Sequence, residues 1–502
     1  MRRDNEQQRE DQASMTRRER LARFRIGLAL PLGPLLAIGL LWIEGPAGLA
    51  PEAWSVVALV AWMATWWVLE PVPIAVTALL PVALLPLLGV ASVNEATAPY
   101  ANPLIFLFLG GFLLAEAIQR WSLHRRIALL VLRFSGHRPD HLVAGFMVAT
   151  AWLSMWVSNT ATAALMVPIG LSVLALLERH GRDAGSHRLE LSLLLGIAMA
   201  ANIGGMGTLI GTPPNALLAG FMAENYGIRI GFAQWMLLAV PPAFLLLVLT
   251  WWLLTRYLYP LGRETLPAVA EMLREQAEDL GGMSPPERGV AVIFTLVALA
   301  WVTRPLLEAW LGLPLSDAGI AVIGALLLFM VPARWSQRQF LMDWDSAKSL
   351  PWGVLIMVGG GLSLGTAIEG SGLAAGVAEG LGAFADWPVW ALVSLVVLVV
   401  MMLSHVTSNT ATAAAILPLT ASLTVSLGAS PLLLSVPVAL AASCAFMLPV
   451  ATPPNAVVFA SGRLSVAEMV RAGAPVGLIA LVVICLAVFA LAMPILGFGW
   501  AS

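Results

Sequence analysis

SNTATAALMVP begins at Ser158 and SNTATAAAILP begins at Ser408, so one neutral polar phrase is written twice, 250 positions apart. A second pair follows in each half: GTPPNALL from Gly211 and ATPPNAVV from Ala451, 240 positions apart. All four stretches carry hydroxyls and amides, and none carries Lys or Arg. Oxygens of this kind suit a hard cation such as sodium, whereas a transition metal would favour clusters of His or Cys. Two adjacent prolines remove two backbone donors and clash with the preceding turn, so a helix must break near Thr212 and again near Thr452. Proline suits the first turn of the helix that restarts, which gives half-helices opening at 213–215 and 453–455, their positive dipole ends at the break. Carbonyls before each break can hold a cation, and N–H groups after it an anion. An anion bound among these motifs must be neutralised by helix N-termini and co-bound cations, because no basic side chain is there to do it.

Each motif has a bland reading beside the chemical one. A single Ser-Asn-Thr in an apolar segment is more often hydrogen-bonding glue between helices, and a single Pro-Pro is often only a kink. Duplication of both phrases in the same order favours one central site drawing on Ser158, Asn159, Thr160, Thr212, Ser408, Asn409, Thr410 and Thr452. His405 stands three residues before Ser408 and could be drawn as a base beside a nucleophile. No acidic partner accompanies that pair and Ser158 has no matching His, which argues against an enzyme. A cation/proton antiporter would want ionisable side chains at mid-membrane, and both phrases are neutral. A cationic His405 reaching the second phrase at low pH could still replace a sodium ion there. Glu70, in WWVLEPVP, is expected to end a helix at the interface, and Cys444 and Cys485 read as packing residues with no disulfide or metal role.

The surrounding elements must keep such polar groups inside an apolar chain. Of 502 residues, 59% are hydrophobic and 11% charged, where a soluble protein would carry roughly a quarter charged. Apolar runs near 25–44, 53–69, 72–91, 233–257, 289–303, 316–332 and 470–499 approach or exceed the roughly 20 residues that span a bilayer. The fold class is therefore an all-α polytopic membrane bundle; the alternating segments of about ten residues expected of a porin-type barrel are missing. Residues 1–25 mix eight arginines with acids and read as a cytoplasmic tail that sets topology, with no nucleic-acid role.

Basic residues then draw the topology. Arg120, Arg125, Arg126, Arg133 and Arg138 precede the first SNT phrase and Arg179, Arg182 and Arg188 follow it, so both ends of the stretch 142–177 face the cytoplasm. An arm such as 142–157 is about 24 Å long, too short for a hydrocarbon core of about 30 Å. A re-entrant hairpin with SNT at its tip fits both facts. The flanks of the second phrase, FADWPVW and LGASPLL, carry no Lys or Arg, so that hairpin is expected to enter from outside. Two halves of opposite orientation follow, the inverted-repeat plan of secondary transporters. Gly110 and Gly111 in FLFLGGFLLAEAI match Gly360 and Gly361 at the same offset of 250.

With the SNT and TPPN phrases, EPVPIAVTALLPVALLPLLGV from Glu70 and AIQRWSLHRRIAL from Ala117, the chain resembles the divalent anion/sodium symporter family from about Ile26 to Trp500. The resemblance implies a homodimeric inner-membrane carrier with about eleven spans, two re-entrant hairpins and two broken helices. It also implies a scaffold and a moving transport domain that work as an elevator. Mapped onto this chain, the segments are a tail at 1–25, first-repeat scaffold and interfacial arm at 26–134, and first transport elements at 135–232. Second-repeat scaffold follows at 233–384, second transport elements at 385–469 and a last span at 470–502, with the N-terminus cytoplasmic and the C-terminus outside. One sodium site would draw on Ser154, Ser158 and Asn159 with the Gly211 region, and a second on Ser404, Ser408 and Asn409 with the Ala451 region. Substrate would meet Asn159, Thr160, Asn409 and Thr410, closed by Thr212 and Thr452. The implied activity is sodium-driven import of a small dicarboxylate such as succinate, malate or fumarate; sodium-independent exchange, or sulfate or citrate as cargo, are the alternatives. Where many symporters read Thr-Glu-Phe-Thr before the second SNT, this chain reads SHVT from Ser404 to Thr407, which bears on the second cation site.

Overall fold

A computed structural model describes residues 27, 29–46, 48–135, 138–179, 184–262, 265–380 and 387–498. The tail at 1–25, Arg182 and the first part of the FADWPVW flank lie outside the described residues. Apart from one short antiparallel pair, Pro332–Arg334 with Gln339–Phe340, the described regular structure is helical. Among the described residues eight helices are long and apolar enough to cross a membrane, and five shorter apolar helices accompany them. The run at 72–91, expected as one span, instead forms two short helices, Ile74–Thr77 and Leu80–Leu87. Pro81, in the first turn of the second helix, accounts for the interruption at 78–79: it withholds a backbone donor and crowds the carbonyl of Thr77. Glu70 does end a helix: it caps Pro51–Leu69 in the left-handed conformation (φ 46°), its N–H bonded to the Trp66 carbonyl.

The polar phrases act locally as caps. Ser158 and Ser408 each accept the backbone N–H three residues on, from Ala161 and Ala411 (both 3.3 Å), so a new helix starts at each Asn. The first hairpin is thus Pro139–Ser154 followed by Asn159–Arg179, and the second is Val389–Ser404 followed by Asn409–Ser426. Both entering arms have 16 residues, about 24 Å. The first return arm has 21, longer than expected, because its last turn runs on into a polar layer where Glu178 meets Arg463 (2.6 Å). The Thr-Pro-Pro-Asn phrases break helices as anticipated: Thr212 and Thr452 are extended N-caps, and Pro213–Tyr226 and Pro453–Phe459 start immediately after them. The preceding helices differ. Ala184–Gly205 runs to its end, whereas Leu432–Ala442 stops short of Ala445, the residue matching Gly205.

The arginines that flank the first hairpin are bonded to further charged segments near 256, 287 and 343, and Arg463 joins the same layer through Glu178. Arg126 pairs with Glu287 (3.1 Å) and Arg120 with Asp343 (2.5 Å), while Arg138 and Arg256 share the fully buried Asp140 (2.8 and 2.7 Å). Hydrogen bonds from Arg120 and from the Ser346 backbone N–H hold the Asp343 carboxyl down at about 2. Arg463 bridges Glu178 and Glu190, and His187 lies between Glu190 and Glu468 (3.3 and 3.4 Å). Helix Pro103–Arg120 leads from this basic end to the other, where Asn102 donates to Glu224 (2.9 Å), Tyr226 to Glu369, and Arg304 pairs with Asp317 (3.3 Å).

Two packing features position the site. Pro213–Tyr226 lies against Asn409–Ser426, and Pro453–Phe459 lies against Asn159–Arg179, so each half-helix packs on the other half's hairpin. Beside them run Pro103–Arg120 and Trp352–Gly370, each through its glycine doublet. A Cβ on Gly110 would lie 2.6 Å from the Ala321 Cβ, and one on Gly360 only 2.2 Å from the Ala78 carbonyl oxygen. The second glycine of each doublet turns the other way: Gly111 meets Ile210 (3.1 Å), and Gly361 meets Leu217 and Ala414 (3.0 and 3.2 Å), measured from the same added atom.

Candidate functional site

At the first tip Ser154 Oγ is 2.6 Å from Asn159 Oδ1 and 2.7 Å from the Ala201 carbonyl oxygen. A hydroxyl carries one proton, so three oxygens share a single hydrogen, an electron-rich cluster suited to a hard cation. Two glycines permit it. A Cβ on Gly205 would lie 2.6 Å from Asn159 Oδ1, and one on Gly211 would lie 2.4 Å from the Gly205 carbonyl oxygen. Ser154, Asn159 and the Gly211 loop are therefore brought together, while Ser158 is exposed and occupied as a cap. Thr160 is exposed one residue into the helix, and Thr208 of the broken loop donates to the Met155 carbonyl (2.5 Å).

The second tip is built from the matching residues with different partners. Ser404 is fully buried, and neither its Oγ nor Asn409 Oδ1 has a hydrogen-bond partner. Thr410, unlike Thr160, is buried, and the Thr407 and Thr412 hydroxyls lie 2.5 Å apart. Ala451 is buried in the loop before Thr452. His405 has a role the sequence did not suggest. Its Nε2 is 3.2 Å from the Met447 N–H and its Nδ1 is 2.6 Å from the Met401 carbonyl. A backbone N–H only donates, so Nε2 accepts and Nδ1 holds the proton, which makes the ring a neutral brace between hairpin and broken loop. Neither nitrogen addresses Ser408, whose Oγ accepts the Ala411 N–H, so the base-and-nucleophile geometry is not formed. Nor is the ring placed as a cationic ligand.

Asparagines that sequence reasoning passed over hold the two broken loops. Asn215 Nδ2 reaches the carbonyls of Thr208 (2.8 Å), Gly205 and Met206 (both 3.2 Å). Asn455 Nδ2 reaches those of Ala445 and Leu448 (both 3.0 Å), the positions that match Gly205 and Thr208. The last letter of TPPN was thus the available signal: a third helical residue whose amide folds back to satisfy carbonyls freed by the break. Asn202 joins the halves by donating to Thr452 Oγ1 (3.0 Å) and Asn455 Oδ1 (3.3 Å). Cys444 is buried with its Sγ 3.9 Å from Met206 Sδ, a packing contact at the same junction. Thr212 is buried and makes no capping hydrogen bond with its side chain, whereas Thr452 Oγ1 also accepts the Asn455 N–H (3.5 Å).

Neutral oxygens and four helix N-termini, at the two tips and the two broken loops, therefore make up the candidate site of the molecule. The described buried carboxylates, Asp140 and Glu287, sit at its basic end with arginine partners. Among the described residues no three His, Cys, Asp or Glu side chains gather as they would around a transition metal.

Residues 28–497 match the family described as sodium:sulfate symporter transmembrane region. The sodium-dependent dicarboxylate transporter SdcS of Staphylococcus saprophyticus is 42% identical over 477 residues, covering 94% of this chain and 92% of the relative. SdcS of Staphylococcus aureus (strain bovine RF122) is 43% identical over the same shares. Among solved structures, Neisseria gonorrhoeae MtrF, from a class of antimetabolite efflux pumps, aligns with a TM-score of 0.55 at 14% identity over 84% of this chain and 88% of its own. The Alcanivorax borkumensis YdaH transporter aligns at 0.53 and 15% identity, over 88% and 98%. Identities this low show a shared fold alone.

Proposed function

The chain belongs to the sodium:sulfate symporter family of multi-pass membrane transporters, and from that premise we propose that it imports a small dicarboxylate across the inner membrane with sodium. The observation that carries this reading is the pair of neutral tips, Ser154 with Asn159 and Ser404 with Asn409, each starting a hairpin arm on which the other half's half-helix packs. Sodium beside each tip is cargo: one ion by Ser154, Ser158, Asn159 and the Gly211 loop, one by Ser404, Ser408, Asn409 and the Ala451 loop. The substrate carboxylates lie between them against Asn159, Thr160, Asn409 and Thr410, with Thr212 and Thr452 at the starts of the half-helices. A dianion is costly to dehydrate without a counter-charge. Two sodium ions balance it, and a net current requires a third.

In this reading the hairpins are re-entrant and inverted, the basic end is cytoplasmic, the N-terminus lies inside and the C-terminus outside. Hairpins and broken helices move as one unit against the scaffold of a homodimer. At Gly111 and Gly361 the side chains of Ile210, Leu217 and Ala414 seat directly on the glycine backbone, which in this reading makes a close-packed boundary between the two units. Phe232–Trp252 falls in the segment 233–384 expected as scaffold. Its packing on Pro139–Ser154, Ala184–Gly205 and Val466–Ala487 supports carrying it, and Val466–Ala487, with the moving unit.

Uptake of labelled succinate into empty proteoliposomes, under an inward sodium gradient or an equal choline gradient, tests the function. Sodium-dependent uptake competed by malate and fumarate is the expected result. Uptake indifferent to sodium that requires internal dicarboxylate would establish exchange instead, and stronger competition by sulfate or citrate would reassign the cargo.

A further inference from the structure

We infer that Asn202, a residue of the first half, positions the Thr452 hydroxyl of the second half as a hydrogen-bond donor to a substrate carboxylate; the inference rests on the proposed substrate contact at Thr452. Asn202 is buried in helix Ala184–Gly205, and its Nδ2 lies 3.0 Å from Thr452 Oγ1 and 3.3 Å from Asn455 Oδ1. The direction of these bonds is fixed from the far side. Asn455 Nδ2 donates to the Ala445 and Leu448 carbonyls, which have no proton to give, so the oxygen of that amide is the atom turned toward Asn202. The Asn202 atom that meets an amide oxygen is then its nitrogen, and Thr452 Oγ1, in reach of the same nitrogen, accepts.

A hydroxyl oxygen has two lone pairs and one proton. At Thr452 the Asn202 amide takes one lone pair, and the Asn455 backbone N–H, 3.5 Å away, takes the other. Among the described residues no acceptor receives the remaining proton, which is directed away from both donors. A hydroxyl held in this state donates, and a carboxylate, which only accepts, is its complement. The first half lacks the device. By the offset of 240 that relates Asn215 to Asn455, position 202 corresponds to Ala442, which has no amide. Thr212 makes no capping bond with its side chain, so its hydroxyl is not held in one direction. Asn202 also follows Ala201, whose carbonyl accepts from Ser154 Oγ (2.7 Å), so adjacent residues join the first tip to the threonine of the second half-helix.

The test is succinate uptake at saturating sodium by the full-length protein and by Asn202→Ala, Asn202→Leu, Thr452→Val and the pair Asn202→Leu with Thr452→Val. Leucine keeps a branched side chain without the donor, which covers the case in which the alanine variant fails to fold. Loss of one hydrogen bond to a charged group should raise the succinate KM about tenfold in Thr452→Val and about fivefold in both Asn202 variants, with kcat within about twofold of wild type. In the pair the KM should rise no more than about twofold beyond Thr452→Val alone, because the same bond is lost once. A second readout is the sodium-induced rise in melting temperature without dicarboxylate, whose half-saturating sodium concentration should stay within about twofold of wild type in the Asn202 variants. A larger shift there with an unchanged succinate KM would place Asn202 in a cation site and overturn its assignment to Thr452. If Thr452→Val raises the KM and both Asn202 variants match wild type, or if the effects multiply in the pair, the positioning role is overturned while the substrate contact stands. A wild-type KM in Thr452→Val removes the contact itself, and the role of Asn202 with it.

Discussion

The two hairpin tips share a sequence and differ in how their oxygens are spent. At the first, the one Ser154 hydroxyl proton is held between Asn159 Oδ1 and the Ala201 carbonyl, and the front of the tip, Ser158 and Thr160, is exposed. At the second, Ser404 and Asn409 keep free oxygens and Thr410 is covered. The first half's own unpartnered amide oxygens, on Asn202 and Asn215, lie in its broken helix rather than on the hairpin. A cation entering the first tip must displace an existing hydrogen bond. One entering the second finds its ligands waiting, and preorganised ligands bind tighter for the same chemistry. On the proposed assignment, the repeat thus builds two cation sites of unequal affinity from one phrase.

The strongest way to break that comparison is to remove both tips' amides separately. Asn159→Ala and Asn409→Ala should each lower succinate uptake by about a hundredfold, since each deletes contacts to ions worth about 1.5–3 kcal/mol apiece. Near-normal uptake by either, at normal expression, would return the phrase to a packing role. Inequality is tested next. Ser404→Ala should raise the half-saturating sodium concentration about tenfold, and Ser154→Ala by only about threefold, because the first serine's loss also frees Asn159 from its internal bond. Equal shifts would mean that the paired and unpaired arrangements are energetically alike.

Smaller effects belong to the struts. Asn215→Ala and Asn455→Ala should each lower unfolding stability by about 1–3 kcal/mol by abandoning buried carbonyls. Asn455→Ala should also loosen the junction with Asn202, visible as a larger drop in melting temperature. The mildest change expected is at His405. His405→Gln keeps an acceptor for the Met447 N–H, so uptake should stay within about twofold of wild type, whereas His405→Ala should lose about 1–2 kcal/mol of stability. Abolished turnover in the glutamine variant at full stability would give the ring a part in transport that its hydrogen bonds do not suggest.

Much of this was legible along the chain because it is local. Thr-Pro-Pro breaks one helix and starts the next, as at Thr212 and Thr452, and serine before asparagine was an available cap signal of the same short range, as Ser158 shows. What the sequence concealed is long-range. Nothing near Pro453 tells that its half-helix will pack on the other half's hairpin, or that Asn202 will reach Thr452. His405 looked chemical because of its neighbour at 408, yet its partners are backbone atoms at 401 and 447.

The glycine doublets bear on a different matter, the tightness of the membrane. Successive helical residues point about 100° apart, so Gly110 and Gly360 face one neighbour while Gly111 and Gly361 face another. At Gly361 even an added methyl would stand 3.0 Å from Leu217, and at Gly365 2.7 Å from Phe221, so no file of water fits along that wall. If the proposed transport unit slides on that wall, it carries its cargo past a seam packed closely at these positions. A seam that tight would leave sodium and protons no passage beside the moving unit, so that a driving gradient would not be dissipated between turnovers.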